Sequence, residues 1–345
     1  IAQPVGCAIV AGMRLLVLGG SSFVGRAVVE DGLRRNWTVA TFNRGTRPAV
    51  DAAVEPLVGD RLVPADLAVL SDRPWDVVVD TWSGAPRAAA DSAAALSARA
   101  GIYAYVSSGS VYAPPPPVGG DESSPTVAAS PDAARGDYAQ LKRGAELAIE
   151  RAFGDRALFA RAGLILGPHE DVGRLPWWLL RMHRGGEVLA PGPPELPIQY
   201  VDARDLAAWM LDAAAVGRGG AYNVVRRAGE VTMGSLLETC RAVAGAPDTS
   251  LTWVAPELVL GAGIEPWSEL PVWLPPEHEY RGMHAADVER VYAAGLRPRP
   301  LRETVSDTWD WLSSTGLQAP QRPDRDPPGV EPAKEAAALA AARAG

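Results

Sequence analysis

Two residues four positions apart could together perform acid–base chemistry. Tyr138 and Lys142 share one face if residues 137–153 form a helix, as the apolar spacing there predicts. A neighbouring ammonium favours the phenolate form, so it lowers the pKa of a tyrosine and makes the phenol a usable general acid or base near neutral pH. The spacing alone is common by chance. A serine-rich strand end that includes Ser108, thirty positions before Tyr138, makes the combination more specific.

A glycine-rich segment near the beginning of the chain could hold a phosphate group. Residues 16–26 read Leu-Val-Leu-Gly-Gly-Ser-Ser-Phe-Val-Gly-Arg, which ends an apolar strand pattern and opens a helix pattern. Small residues let the backbone turn sharply and approach a pyrophosphate, whose charge then lies at the helix N-terminus. The segment comes first in a βαβ series and therefore predicts dinucleotide binding. Its predicted contact residues are Gly19, Ser21, Ser22, Phe23, Val24 and Gly25.

The end of the next predicted strand indicates which dinucleotide is bound. An acidic side chain there would accept hydrogen bonds from the ribose of NAD, whereas an arginine accommodates the 2′-phosphate of NADP. The chain has Asn43 and Arg44 at this point, with Arg47 close by, which favours NADP(H). NAD(H) stays open because an arginine can also stack on an adenine with no phosphate present.

The elements that must position these residues alternate between short β-branched runs and longer helical ones. This alternation is typical of βαβ units and a parallel sheet, and it predicts a Rossmann-like, doubly wound α/β fold. The predicted strands are 14–18, 38–42, 55–58, 76–80, 102–106 and 157–165, and the predicted helices between them are 24–35, 85–100 and 137–153.

The rest of the chain predicts a cap over the carboxyl ends of the strands, where ligands of open α/β sheets bind. Residues 1–12 are interpreted as an upstream extension because Met13 directly precedes the first strand. Residues 13–167 are the dinucleotide-binding domain, and 168–318 are a mixed α/β cap with some return to the sheet. Residues 319–345 are a Pro-rich linker and an Ala-rich helix that docks on the cap, docks on a second subunit, or frays.

Composition excludes several other classes of protein. The 33 basic and 41 acidic residues give a net charge of -8, which argues against a nucleic acid as the main partner. Two distant cysteines and four histidines without ligand spacing predict neither a disulfide framework nor a metal site. The low cysteine content favours a reducing compartment, the cytoplasm. The apolar N-terminus is interrupted by Gln3 and Pro4, and its first charge, Arg14, comes late, so neither a signal peptide nor a membrane span is predicted.

The chain resembles the extended branch of the short-chain dehydrogenase/reductase family, the NAD-dependent epimerase/dehydratase-like proteins. The resemblance extends from about residue 14 to residue 312. Besides the glycine loop, it rests on Gly59-Asp60, the strand end at Ser108, Asp121-Glu122-Ser123, Tyr138 with Lys142, Arg161, Gln199-Tyr200-Val201-Asp202 and Asp205-Leu206-Ala207.

The resemblance implies a role for each matching residue. Tyr138 would exchange a proton with a substrate oxygen, Ser108 would hydrogen-bond the same oxygen, and Lys142 would bind the nicotinamide ribose. The cofactor contacts that it implies outside the glycine loop are Asp60 and Arg61 near the adenine, and Thr81 and Trp82 near the nicotinamide ribose. The resemblance also implies a homodimer through the helices after the fourth and fifth strands, although the sequence shows no decisive apolar stripe.

Departures from the family pattern predict an unusual substrate. Sugar-nucleotide 4,6-dehydratases have Thr-Asp-Glu where this chain has Ser108-Gly109-Ser110, which argues against dehydration. Related epimerases have an Asn and an Arg where this chain has Leu164 and Ile198, so two partners of a substrate diphosphate are lost. An apolar pocket is expected instead, with residues 114–117 as a stiff loop near its mouth. The predicted substrate contacts are Ser110, Trp82, Leu164, Trp177, Trp178 and Tyr200.

Three functional hypotheses follow. The preferred one is an NADP(H)-dependent oxidoreductase that reduces a carbonyl, or oxidises the matching alcohol, of a small metabolite by hydride transfer. The second is an epimerase or isomerase that keeps its nicotinamide cofactor bound and acts on a sugar or sugar nucleotide. The third belongs to another class, a nucleotide-sensing or RNA-binding Rossmann protein without turnover, and the intact set of Ser108, Tyr138 and Lys142 argues against it.

Overall fold

The structure, a computed structural model, describes residues 12–323 and 325–344. Eleven strands are present in this part of the chain. In chain order they are β1 (Arg14–Leu18), β2 (Thr38–Asn43), β3 (Glu55–Val58), β4 (Trp75–Asp80), β5 (Ala100–Ser108), β6 (Ala157–Ala162), β7 (Leu164–Leu166), β8 (Glu187–Pro191), β9 (Tyr200–Asp202), β10 (Gly220–Val224) and β11 (Ser250–Val254). The interpretation of residues 1–12 as an extension falls almost wholly outside the described residues.

Seven of these strands form the central sheet, in the order β10-β6-β5-β4-β1-β2-β3, with every neighbouring pair parallel. Strands that are covered on both faces can be apolar throughout, and Leu15, Leu16 and Val17 of β1 are all 0% exposed. The predicted Rossmann-like fold is confirmed. The seventh strand, β10, comes from the second half of the chain, as the expected return to the sheet requires.

The strand predicted over residues 157–165 was wrong in its extent. The chain leaves the sheet at Gly163, and β7 instead pairs with β9 in a separate two-stranded sheet. The helix predicted over residues 85–100 also ends early, because β5 begins at Ala100 beside Trp75 of β4. Both corrections concern the residue at which the chain leaves or enters the sheet, and hydrophobic periodicity does not show that residue.

Helices cover both faces of the sheet. The ten α-helices of the described residues are α1 (Phe23–Arg34), α2 (Pro86–Leu96), α3 (Tyr138–Phe153), α4 (Arg174–His183), α5 (Ala203–Ala215), α6 (Met233–Ala244), α7 (Pro256–Gly261), α8 (Glu289–Ala293), α9 (Leu301–Ser314) and α10 (Pro332–Ala344). α1 and α5 pack on one face, and α2 and α3 pack on the other. Within these described residues, none of the helices combines the length and hydropathy needed to cross a bilayer.

The cap has a hydrophobic core of its own, built mainly from α4, α6 and the β8–β11 pair. Cys240 of α6 is fully buried there. The C-terminal helix α10 belongs to the same core, with Ala338 at 0% and Leu339 at 6% exposure. Of the alternatives left open by the sequence, docking on the cap is the one the structure shows.

Candidate active site

A cavity of about 410 Å³ lies at the carboxyl ends of the central strands, beneath the cap. Its lining includes Ser22 from the loop after β1, Ser108 at the end of β5 and Ala162 at the end of β6. A second cavity of about 300 Å³ adjoins it, and Thr81 and Ser83, which follow β4, line both. This is the edge at which open α/β sheets bind ligands, and the two cavities together provide an elongated site.

The glycine loop lies between the two cavities. Gly19 follows β1 with a φ of +119°, and a Cβ there would be 2.4 Å from the Thr81 hydroxyl. A Cβ on Gly25 would be 2.7 Å from the Gly20 nitrogen, so α1 can pack this closely on the loop only with glycine at position 25. The loop thus brings the N-terminus of α1 to the ligand cavity, and the residues present fit the phosphates of a dinucleotide.

The predicted loop contacts divide between the cavities. Ser22, Phe23, Val24 and Gly25 line the larger one, and Gly19 lines the smaller one. Ser21 lines neither. Their contacts with a bound dinucleotide stay predictions.

Gly25→Ala is expected to weaken dinucleotide binding at least tenfold, because the added Cβ forces the backbone of the phosphate loop to shift. The matched control is Gly261→Ala, since a Cβ at this helical glycine meets nothing within 4 Å. Cofactor titration by intrinsic tryptophan fluorescence measures both variants. Wild-type affinity in Gly25→Ala would contradict the role assigned to the loop.

Tyr138 is positioned by a capping box at the start of α3. The Asp137 carboxylate accepts a hydrogen bond from the Gln140 backbone nitrogen at 2.9 Å, and the Gln140 side chain accepts one from the Asp137 nitrogen at 3.2 Å. This fixes Tyr138 as the first residue of the helix. Its side chain is 39% exposed and lines the larger cavity, so the phenol can reach a ligand.

Lys142 lies one turn further along α3 and is buried at 3% exposure. Its Nζ donates to the carbonyl oxygens of Trp82 and Val106, both at 2.7 Å, and lies 4.6 Å from the centre of the Tyr105 ring. Burial lowers the pKa of this ammonium, partly opposed by Tyr138. Two of the three ammonium hydrogens are therefore donated to backbone carbonyls, one in the loop after β4 and one in β5. No sequence pattern indicated that the Trp82 backbone holds this lysine.

Neighbouring polar and charged groups set the pKa of Tyr138. Burial acts to raise the pKa of the phenol, but the Lys142 ammonium, the Ser108 hydroxyl and the guanidinium groups of Arg325 and Arg322 together outweigh it and hold the pKa below its ordinary value. The Ser108 hydroxyl also accepts a hydrogen bond from the Ser110 nitrogen at 3.1 Å. The three predicted catalytic residues therefore meet in one cavity, in an arrangement suited to proton transfer.

A buried ion pair forms the floor beside these residues. Arg161 of β6 donates two hydrogen bonds of 3.0 Å to the Glu146 carboxylate of α3, and the Ser107 hydroxyl donates a third at 2.6 Å. Arg161 also donates to the Tyr112 hydroxyl at 3.2 Å. These bonds tie α3 to β5 and β6 and fix the helix that carries Tyr138.

Six of the predicted cofactor residues, which lie at or just after the ends of the second, third and fourth strands, line the smaller cavity. They are Asn43, Arg44, Asp60, Arg61, Thr81 and Trp82. Arg44 is exposed, whereas Arg61 makes a bidentate ion pair with buried Asp80 at 2.7 and 2.9 Å. Its guanidinium lies 4.7 Å from the centre of the Trp82 ring. Arg61 therefore holds β4 and its loop in place, a structural role that the resemblance did not imply.

Several predicted pocket walls lie elsewhere. Trp178 and Tyr200 are 0% exposed in the core of the cap, and Trp178 donates to the Pro271 carbonyl at 2.9 Å. Trp177 packs beside that core against Gly329, and Trp82 faces the smaller cavity. The prediction that Trp177, Trp178 and Tyr200 wall the substrate pocket was wrong, because the cap uses these rings for packing. Trp82 follows β4 and lines the adjoining cavity, so its contact with a substrate stays a prediction.

Other substrate predictions do line the larger cavity. Leu164 and Ser110 line it, as do Pro116 and Pro117 of the predicted stiff loop. The aromatic wall that the sequence analysis missed is Trp267. It follows a proline and lies in an irregular segment with a φ of +67°, for which no periodic pattern exists.

Three arginines that the sequence analysis did not single out also line the larger cavity. Arg174 begins α4, and Arg322 and Arg325 come from the segment interpreted as a linker. The guanidinium of Arg325 lies 5.5 Å from the centre of the Tyr138 ring. The cavity lining therefore also carries positive charge, which the expectation of an apolar pocket did not include. Among the described residues, no group of three or more histidine, cysteine, aspartate or glutamate side chains is arranged to hold a metal ion.

The free energy of unfolding is expected to fall as the pH rises from about 4.5 to about 7, because the Glu170 carboxyl ionises in this range. This buried carboxyl accepts hydrogen bonds from the Arg174 and Leu175 nitrogens at the start of α4. Burial raises its pKa from 4.5 to about 7, although Arg174 opposes this. The folded chain therefore binds more protons than the unfolded chain in that window, and the loss is on the order of 3 kcal/mol.

Urea denaturation at pH 5 and pH 8 tests this expectation. Glu170→Gln should remove that part of the pH dependence, since the amide does not ionise. Glu257→Gln, at an exposed glutamate, is the control and should retain the wild-type difference. An unchanged difference in Glu170→Gln would contradict the expectation.

The fold and the cavity together define a nucleotide-dependent enzyme with a Rossmann-like domain. The sequence profile of the NAD dependent epimerase/dehydratase family matches residues 15–225, more than half of the chain. The chain therefore belongs to the NAD-dependent epimerase/dehydratase family, and the resemblance found in the sequence is confirmed. No curated protein matches the sequence.

Solved structures show the same fold. The UDP-N-acetylglucosamine 4-epimerase of Methanobrevibacter ruminantium M1, in complex with UDP-N-acetylmuramic acid, aligns with a TM-score of 0.66 at 16% identity over 88% of this chain and 99% of its own. The Bordetella bronchiseptica enzyme WbmH, in complex with NAD+, gives 0.65 at 18% identity, with the same two coverages. The UDP-glucose 4-epimerase of Thermus thermophilus, in complex with NAD, gives 0.60 at 20% identity over 87% and 99%.

Proposed function

We propose that the protein is an NADP(H)-dependent oxidoreductase that interconverts a carbonyl and an alcohol on a small metabolite. The observation that supports this is one cavity lined both by the glycine-loop residues 22–25 and by Ser108, Tyr138 and Lys142. A dinucleotide held at the loop would reach the proton-transfer residues. When bound, the nicotinamide supplies or accepts the hydride.

The chain's own residues provide binding and proton transfer. The N-terminus of α1 and the small loop residues bind the phosphates, and Lys142 binds the nicotinamide ribose through its remaining ammonium hydrogen. Ser108 orients the substrate oxygen, and Tyr138 gives that oxygen a proton in the reducing direction or takes one in the oxidising direction.

The preference for NADP(H) rests on the second strand end. Asn43 is uncharged, and its side chain bonds to backbone atoms. The amide nitrogen donates to the Gly19 carbonyl at 3.3 Å, and the amide oxygen accepts a hydrogen bond from the Gly45 nitrogen at 2.9 Å. Exposed Arg44 lines the same cavity and supplies the cation for a 2′-phosphate, whereas Arg61 is occupied by Asp80.

The second candidate is an epimerase that retains its nicotinamide cofactor and returns the hydride to the same substrate. The specific observation in its favour is that the similar solved structures include epimerases in complex with NAD. Both candidates use the same proton-transfer residues. The cytoplasmic location and the homodimer stay predictions.

Cofactor identification distinguishes the two candidates. Nucleotide is released by heat from freshly purified protein and identified by mass, and the empty protein is then titrated with NADPH and NADH. The proposal expects little retained nucleotide and NADPH binding at least tenfold tighter, about 1.4 kcal/mol. Arg44→Ala should abolish this preference, and the control Arg302→Ala, at an exposed residue outside both cavity linings, should retain it. Stoichiometric, non-exchanging NAD(H) would overturn the proposal in favour of the epimerase.

A further inference from the structure

Three arginine side chains meet in the cavity that contains Tyr138. Arg174 is the first residue of α4, and Arg322 and Arg325 belong to residues 319–331, which we call the strap. The Arg325 guanidinium lies 5.5 Å from the centre of the Tyr138 ring, and the Arg174 guanidinium lies 5.9 Å from that of Trp267. Segments far apart in the sequence thus bring positive charge to one side of the catalytic phenol.

Positive charge exceeds negative charge in the described part of the cavity lining. Arg161 is neutralised by Glu146, and Lys142 is held by two backbone carbonyls. Asp171 is the one carboxylate among the described lining residues, against the three arginines of the cluster. Guanidinium groups are planar forks that match carboxylate and phosphate oxygens, so a cluster of this kind suits an anion.

The arginines repel one another electrostatically. Burial lowers the pKa of Arg174, and Arg325 and Arg322 lower it further, while Glu170 opposes them. Like charges at close range in a partly enclosed cavity destabilise the empty site. An anionic ligand would relieve this repulsion, which an uncharged ligand would not do.

The strap is attached to the cap at both of its ends. Within it, the Arg322 nitrogen donates to the Asp171 carbonyl at 3.0 Å, and Gly329 packs on the Trp177 ring. After it, α10 is anchored by Glu335, whose carboxylate accepts from Arg181 Nε at 2.8 Å. The described residues of the strap therefore pack on the cap, and Arg322 and Arg325 line the cavity.

We infer that Arg322 and Arg325 of the strap, together with Arg174, form a subsite for an anionic group of the substrate, a carboxylate or a phosphate, beside Tyr138. The inference deepens the proposed function and rests on it. An anion held here would place the neighbouring substrate carbon and oxygen close to the phenol. The substrates expected are therefore hydroxy or keto compounds that carry a negative charge.

The test is anion binding to wild-type protein saturated with NADPH, so that the phosphate loop is already occupied. Isothermal titration calorimetry with inorganic phosphate and with malonate distinguishes the two anion types. Binding of either one should weaken at least tenfold in Arg322→Met/Arg325→Met, about 1.4 kcal/mol. The control is Arg302→Met, at an exposed α9 residue outside the cavity lining, and it should bind as the wild type does.

Two results would overturn the inference: no binding of phosphate or malonate to the wild type at millimolar concentration, or equal binding to the wild type and the double variant. Arg174→Met gives the same test if the double variant does not fold. Cofactor binding is measured first on every protein. Absence of nicotinamide nucleotide binding counts against the proposed function, whereas normal cofactor binding with an unaffected anion affinity counts against the strap subsite alone.

Discussion

Replacing Glu146 with alanine is expected to lower the free energy of unfolding by about 3–5 kcal/mol. The Glu146 side chain is 0% exposed and accepts hydrogen bonds from Ser107, Arg161 and Arg143. Without the carboxylate, the Arg161 guanidinium stays almost fully buried with an uncompensated charge, and the Ser107 hydroxyl loses its acceptor. Breaking one side of a buried pair costs far more than the pair contributes overall.

Urea denaturation followed by circular dichroism measures this loss. Glu150→Ala, one turn further along α3, is the matched control because that side chain is exposed, and it should change stability by less than about 0.5 kcal/mol. A second variant, Glu146→Ala combined with Arg161→Met, also removes the buried Arg161 charge and leaves only the partly exposed Arg143 without its partner, so it should recover part of the loss. Equal stability of Glu146→Ala and Glu150→Ala would show that the pair does not hold α3 against the sheet.

The local parts of the site could be predicted because neighbouring residues determine them. The glycine loop needs only a strand end, small residues and a helix start, and Tyr138 and Lys142 share a face through helix geometry alone. The six strands of the first half could be found because each is a short apolar run. The predicted boundaries were wrong where pairing with a neighbouring strand sets the end of an element, as at Ala100 and Gly163.

The partners of buried charges could not be predicted in the same way. Arg61 follows the Asp60 expected near the adenine, yet its guanidinium pairs with Asp80 at the end of another strand. Nothing in the sequence couples these positions, since the contact exists only once β3 and β4 are placed in the sheet. A residue type and a motif position therefore indicated a cofactor contact, whereas the packing gives Arg61 a structural role.

The substrate side was the least predictable part of the molecule. Tryptophans suit both a pocket wall and a core, and Trp178 lies in the core because α4 turns it inwards. The strap has the proline and charge content of a linker. This composition does not show that α10 packs on the cap, or that Arg322 and Arg325 then lie in the cavity lining. The departures at Leu164 and Ile198 indicated that the usual diphosphate contacts were lost, without indicating where other cations lie.

Tyr138→Phe is expected to lower turnover by a factor of about 10²–10⁴ with any substrate that the wild type converts. The variant keeps the ring but has no proton to give or to take. Lys142 is held by the carbonyls of Trp82 and Val106 rather than by the Tyr138 hydroxyl, so its place and the cofactor affinity should be preserved. The loss should therefore be in kcat, with the nicotinamide nucleotide dissociation constant within about twofold of the wild-type value.

The pH dependence of the wild type distinguishes proton transfer from a merely structural role of the phenol. Since the pKa of Tyr138 is held below its ordinary value, alcohol oxidation should rise with pH as the phenolate forms, and carbonyl reduction should fall over the same range. The measurement is NADPH absorbance in both directions, with Tyr280→Phe, at a tyrosine outside the cavity lining, as the control. The substitution removes only the Tyr138 hydroxyl. A Tyr138→Phe variant that keeps both the rate and this pH profile would therefore show that this hydroxyl takes no part in the proton transfer.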